Sequence, residues 1–222
     1  MERNNTGASN TRSRKDEVRD ILVKRDFVKL LEWAKKTRNP IRTLTSFQFD
    51  PEPLICMRSV EALGRVATLY NDDLEVLRKM VRRLFWMMND ESGNVGWYAA
   101  EAIGETLRNV PMLIAEYAGM LPSFLIEEPF EKGTRIAIAR IAEIDKSQFN
   151  IPTCKKLISS LSDPSPEIRG SSIIALKALC VSEAEEHIAA LVDDNTEITL
   201  YDFDTGEMKS VTIGNLANDL GY

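Results

Sequence analysis

The chain repeats one helical phrase four times with a fixed internal spacing. An acidic residue stands thirteen positions ahead of a large aliphatic in a helix rich in small residues: Asp50 and Leu63, Asp90 and Ile103, Glu128 and Ile141, Asp163 and Leu176. Pro51, Pro129 and Pro164 directly follow three of the four acids. Successive copies are 40, 38 and 35 residues apart, so the spacing persists while the connections vary. A unit repeated at such a period buries its apolar face only by stacking on its neighbours, which restricts the chain to a stacked helical-repeat architecture. Thirteen residues make about 3.6 helical turns, so the aliphatic falls at one azimuth in every copy. The acid is expected to cap the helix or occupy its first turn, where a carboxylate accepts orphan amide protons and proline loses no helical hydrogen bond. Gly64, Gly104 and Ala142 follow the aliphatic and suit close approach of neighbouring helices. Lys177 holds that place in the last copy, as fits an end of the stack.

Around these copies the apolar periods extend the helical reading to residues 16–195. Residues 1–15 hold only Met1 and Ala8 as apolar residues and are expected to form a disordered basic tail. Helix is expected from Asp16, with Val18, Ile21 and Leu22 on one face, then a second stretch bringing Phe27, Val28, Leu30, Leu31 and Trp33 to one side. Asn39-Pro40 breaks it, and Pro40 to about Phe49 reads as the short second helix of an incomplete first repeat. Residues 196–222 leave the helical pattern. Two alternating segments flank Asp204-Thr205-Gly206 and read as a β-hairpin, after which Thr212 is placed to cap a closing helix through Leu216, Ala217 and Leu220. The hairpin is expected to pack on the last helical pair as a terminal lid, because an isolated hairpin is marginal in water. The predicted fold is all-α: an α-α superhelix of about five helical pairs with a small C-terminal β-hairpin cap.

Composition narrows the function classes. A net charge of -6 and an isoelectric point near 5.1 argue against a protein built to neutralise nucleic-acid phosphates. No apolar run approaches the roughly 18 residues of a membrane span, and the first residues contain no apolar stretch that would serve as a secretory signal. Cys56, Cys154 and Cys180 form no CxxC pair, and an odd count reads as reduced, buried cysteine in a cytoplasmic protein. Charge is uneven: residues 1–40 carry eleven Lys and Arg against six acids, whereas residues 181–222 carry one Lys against ten acids. A monomer or weak homodimer is expected.

The phrases DPEPLICMRSVEALG, NDESGNVGWYAAEAIG, EPFEKGTRIAIARIA and SDPSPEIRGSSIIALKAL resemble the HEAT-repeat superfamily, in particular its phycobilisome-lyase HEAT-like branch. The resemblance covers roughly residues 40–194. It implies an α-solenoid, and it spans scaffolds, chromophore-lyase subunits, alkyl-base DNA glycosylases and a di-iron hydroxylase.

The residues themselves discriminate among these functions. Repeated His-Glu pairs are what a di-iron centre needs, whereas this chain has one histidine, His187, so no metal site or cofactor is expected. Arg78, Arg82 and Arg83, with Lys79, form a basic stripe beside Trp86 on the second helix of one pair. That stripe is the expected partner-binding area, because Arg and Trp are over-represented among interface hot spots. Trp97, Glu101 and Glu105 fall at i, i+4 and i+8 and form a secondary candidate stripe, read as a solvated or ion-paired face with Arg65 available to pair with Glu105. Trp97 is read as packing in the core or between repeats. No catalytic set is recognisable. The expected function is therefore a non-enzymatic scaffold that binds a protein or peptide on the concave face. The alternatives are a cofactor- or chromophore-lyase-like accessory subunit and a HEAT-type DNA-binding or alkyl-base glycosylase protein.

Overall fold

The computed structural model describes residues 6–89 and 96–218, with side chains from Lys15 onward within those ranges. The chain is mostly helical, with a two-stranded antiparallel sheet following the long helices. In chain order the elements are α1 (Thr6–Lys24), α2 (Phe27–Lys36), α3 (Pro40–Ser46), α4 (Pro53–Ala67), α5 (Leu74–Met88), α6 (Ala99–Asn109), α7 (Ile114–Tyr117), α8 (Glu131–Asp145), α9 (Ile151–Ser159), α10 (Pro166–Leu179), α11 (Glu185–Ala189), β1 (Glu197–Asp202), β2 (Glu207–Thr212) and α12 (Ile213–Asn218).

Helix α1 starts at Thr6, ahead of the expected Asp16. Val18, Ile21 and Leu22 are buried and anchor it. Extending a helix already nucleated costs far less than starting one, so a polar stretch of modest propensity continues it. Residues 1–5 of the expected tail lie outside the described residues. In α2 the inward stripe is Phe27, Leu30, Leu31 and Ala34; Val28 falls one position off it and is exposed.

Helices α4, α6, α8 and α10 lie side by side in chain order and form an inner row. The recurring aliphatics Leu63, Ile103, Ile141 and Leu176 are all buried in it. Small residues set the spacing: a Cβ on Gly104 would lie 2.5 Å from Ala137 Cα, and one on Gly64 would lie 2.8 Å from the Glu105 carbonyl oxygen. A second layer backs the row, with α3 against α4, α5 against α6, the 3-10 segment Ala118–Ile126 against α8, and α9 against α10. The return segment after α6 is not one helix. Pro111 opens a 3-10 turn and Pro122 lies inside the 3-10 stretch, where it removes an amide that a continuous α-helix needs.

Among the described residues the repeated acids do not cap these helices. α4 and α10 begin three residues later, with Pro53 and Pro166 in the first turn. Asp50 Oδ1 accepts from the Glu52 amide at 3.1 Å, and Asp163 Oδ1 accepts from the Ser165 amide at 2.8 Å, so each acid closes a turn ahead of the helix. The proline after each acid explains the shift, because it drives the preceding residue out of helical conformation; Asp50 has ψ 141 and Asp163 has ψ 141. Asp90 lies outside the described residues.

The hairpin pairs β1 with β2 in register from Glu197 opposite Thr212 to Asp202 opposite Glu207. Thr212 Oγ1 accepts from the Asn215 amide at 3.1 Å and caps α12, as the sequence predicts. Lys177 Nζ donates to the carbonyls of Leu216 at 2.6 Å and Ala217 at 3.1 Å. A cation thus meets the carbonyl end of α12 at the place where other copies carry a small residue. The cysteines differ in setting: Cys56 is buried as expected, Cys154 is half-buried, and Cys180 is exposed because it ends α10 in left-handed conformation with φ 55. Among the described residues no single helix is long and apolar enough to cross a membrane.

Candidate functional site

The hairpin does not stay on the last helical pair. It runs across the inner row as far as the N-terminal helices. Strand alternation turns Ile198 and Leu200 inward, and Ile198 Cδ1 would lie 2.3 Å from a Cβ on Gly170 of α10. In the middle, Lys132 Nζ of α8 donates to the Thr199 carbonyl at 3.2 Å, and the Arg140 guanidinium lies 4.1 Å from the Phe203 ring centroid. At the far end, Arg58 of α4 donates from Nε to the Gly206 carbonyl at 3.0 Å and from Nη2 to Glu207 Oε1 at 2.6 Å. Arg25 donates from Nη1 to the Asp204 carbonyl at 2.9 Å. Gly206 is required there twice over: its φ is +73, and any Cβ would meet Arg25 Cδ at 2.2 Å. The buried carboxylate Glu61 holds the corner together. Its Oε2 accepts from Arg25 Nε at 3.0 Å and from the Tyr201 hydroxyl at 2.7 Å, and its Oε1 accepts from Arg25 Nη2 at 2.7 Å.

Between the row and this strap lies a cavity of about 670 Å³. Met57 of α4, Tyr98 at the start of α6, Ile136 of α8 and Ile174 of α10 contribute to its floor, and Leu200, Tyr201, Phe203 and Met208 of the hairpin form its roof. The volume falls in the range of small-molecule sites. Trp97 stands at its edge with 60% of its surface exposed, so it is not the packing residue that the helical spacing suggests. Tyr98 is half-buried, and desolvation pushes its hydroxyl up to about 12.

Most charged groups around the cavity are engaged within the protein. Glu105 is buried and accepts from Arg140 Nε at 2.9 Å and Asn109 Nδ2 at 2.9 Å. Arg65, the expected partner of Glu105, instead lies over the Phe27 ring at 5.2 Å, because Arg140 reaches Glu105 from the next helix of the row. Glu143 pairs with Arg108 and Arg140, and Asp202 pairs with Lys209.

Glu101 is the exception. The sequence places it on a solvated or ion-paired face; the structure buries it in the cavity wall with 7% exposure. Among the described residues it is the charged side chain with a fully buried oxygen, Oε2, that accepts no hydrogen bond. Gly133 of α8 makes room for it, since a Cβ there would lie 2.4 Å from that oxygen. Burial pushes the Glu101 carboxyl up to about 7, against smaller downward pulls from its own backbone amide and the Lys132 charge. A carboxyl that is half-ionised near neutral pH can donate or accept a proton, or bind a cation.

The basic stripe lies elsewhere, on α5 in the outer layer. Arg78 is paired with Glu116 at 2.7 Å and Arg82 with Glu75 at 2.6 Å, while Arg83 and Trp86 are exposed. The structure therefore brings Trp97 and Glu101 to one cavity, puts Glu105 in the ion network beneath it, and leaves Arg78, Arg82, Arg83 and Trp86 on a separate surface. His187 is exposed on α11, and no group of three or more His, Cys, Asp or Glu suited to a metal occurs among the described residues. The strap residues Arg25, Arg58, Glu61, Tyr201 and Phe203 escaped the sequence reading. One signal was present: Glu61 and Glu101 both stand two residues before the buried aliphatic of their copies, Leu63 and Ile103.

No family model matches the chain. A protein of Archaeoglobus fulgidus, described only as uncharacterised, is 27% identical over 150 residues, which cover 67% of this chain and 76% of the archaeal one.

Proposed function

We propose that the protein is a non-enzymatic binding module, a HEAT-like right-handed solenoid of about five helical pairs, that takes a small organic molecule into the cavity beneath its hairpin. The carrying observation is the strap itself. It covers the inner face on which a solenoid would otherwise lay a protein or peptide, and it leaves a chamber of about 670 Å³ in which Met57, Ile136, Ile174, Leu200 and Met208 alternate with charged side chains. The recurring buried aliphatics and the close helix contacts at Gly64 and Gly104 support the HEAT-like reading. A neutral apolar dye, N-phenyl-1-naphthylamine, should bind with enhanced fluorescence. Ala178→Trp, which fills the cavity from a half-buried wall position, should weaken that binding by about tenfold or more while helical circular dichroism is kept. Equal binding by both proteins would overturn the reading.

A protein-binding scaffold remains the second reading, on a different surface. Trp86 is 59% exposed, and Arg83, three residues before it on α5, is exposed too, so one helix face offers the residue types enriched at interface hot spots. A pull-down that recovers the same partners with wild type and with Arg82→Glu/Arg83→Glu would refute it. A cofactor-handling accessory role is a special case of the small-molecule reading. A DNA-binding role is disfavoured by the ion pairs of Arg78 and Arg82 and by the net acidity.

A further inference from the structure

Glu61 and Glu101 occupy equivalent positions on neighbouring helices of the inner row, and both are buried. Glu61 displays what a carboxylate at this position takes as partners: two guanidinium N–H groups of Arg25, at 3.0 and 2.7 Å, and the Tyr201 hydroxyl at 2.7 Å. Arg25 comes from outside the row and inserts between it and the hairpin turn. At Glu101 no described side chain plays that part. Lys132 acts on Glu101 through charge alone, with its Nζ on the Thr199 carbonyl, and Arg140 is committed to Glu105 and Glu143. The space that Arg25 fills beside Glu61 is open beside Glu101, because the cavity lies there.

We propose that the ligand of this cavity is a small organic cation whose amidinium, guanidinium or ammonium head is held by Glu101 and whose apolar body lies between the inner helices and the hairpin. The proposal rests on the small-molecule reading above. A buried carboxylate leaves its full desolvation cost unrelieved until a donor arrives, and a cationic donor restores both the hydrogen bonds and the charge balance. Aromatic faces suit the same class, since rings attract a cation across their π-surface, and Tyr98, Tyr201 and Phe203 line the chamber. A neutral apolar ligand would leave the Glu101 carboxylate without a counter-charge, and an anion would be repelled by it.

The test uses the full chain, with N-phenyl-1-naphthylamine as reporter and two near-isosteric competitors, benzamidine and benzamide. Benzamidine should displace the dye at about tenfold or lower concentration than benzamide, the gap expected of a charge-assisted hydrogen bond over a neutral one. In Glu101→Gln the gap should close, each competitor being scored against that variant's own dye affinity. Dye binding with equal displacement by the two competitors would overturn the cation assignment and leave the cavity reading standing. Failure of the dye to bind wild type would overturn the cavity reading and the cation assignment with it. The benzamidine-benzamide comparison on wild type needs no variant, so a Glu101→Gln protein that misfolds does not remove the test.

Discussion

Glu101→Gln should stabilise the protein, and only above mildly acidic pH. The substitution keeps shape and volume in the niche beside Gly133 and removes the charge. In the folded chain the Glu101 carboxyl is pushed from the ordinary 4.5 up to about 7 by burial. Below about pH 4.5 the group is protonated whether the chain is folded or not, and it adds no pH dependence. Between 4.5 and 7 the unfolded chain has released this proton while the folded chain retains it, so stability falls as pH rises. Above 7 both states are ionised and the loss is complete, amounting to about 3 kcal/mol by linkage. Relative to wild type, the variant should gain roughly that amount on going from pH 4.5 to pH 8, which is a difference of ~6–12 °C in melting temperature for a chain of this size. Asp194 and Asp202, held down to about 2 by their hydrogen-bonding partners, titrate below this window and are common to both proteins. Urea melts of wild type and variant at pH 4.5, 6 and 8 measure the difference directly. Parallel pH profiles would show that Glu101 is solvated or paired, and the account of the site would fall.

Ile103→Ala should cost about 2–5 kcal/mol in urea melts, as truncation at a fully buried aliphatic does. Gly206→Ala should lower the melting temperature more than Gly119→Ala, since a Cβ at Gly206 clashes with Arg25 and requires φ +73, whereas at Gly119 it meets nothing within 4 Å. Glu61→Gln should destabilise by about 3 kcal/mol or more, because it leaves the Arg25 guanidinium without its counter-charge and puts an amide NH2 where one accepting oxygen stood, and proteolysis at the hairpin turn should accelerate; an unchanged cleavage rate would mean that the strap is held by its apolar contacts alone. Removing residues 1–14 should leave thermal stability almost unchanged, because the described buried residues of α1 begin at Val18, and light scattering of the two lengths at low and high salt tests whether that basic segment drives association.

The long helices and their buried aliphatics were legible in the sequence because they are local. A turn-closing acid or its proline marks where each helix starts, the apolar period within the helix then fixes the azimuth, and Leu63, Ile103, Ile141 and Leu176 are buried there. The hairpin was legible for the same reason, from alternation and the turn at Gly206. Its destination was not, since alternation says that Ile198 and Leu200 turn inward but not which helices receive them. Arg58 and Gly206 meet across a separation of 148 residues, a contact that no window on the sequence contains. Glu101 was visible as a position and misjudged as an environment. A carboxylate on a helix is ordinarily solvated, and only the approach of α8 at Gly133, together with a strap laid overhead, takes it out of water. Trp97 reversed in the opposite sense: its type suggests burial, but it stands ahead of α6 at the edge of the chamber, where the helical stripe no longer governs what is covered.

In an open stack each unit touches only its neighbours, so folding can start anywhere and the array can fray from either end. Here Arg25 and Arg58, made early in synthesis, find part of their acceptors in residues 203–207, beside those that Glu61, Leu22 and Val23 supply. On the ribosome the N-terminal helices must therefore wait, with Arg58 on their inner surface lacking its final partners, until nearly the whole described chain has emerged. Once the hairpin docks, it links the N-terminal helices, hydrogen-bonded to its turn, with α10, packed against Ile198 of its first strand. Urea should then melt the described chain in a single transition rather than repeat by repeat, with refolding slow for a helical protein because its decisive contacts span most of its length.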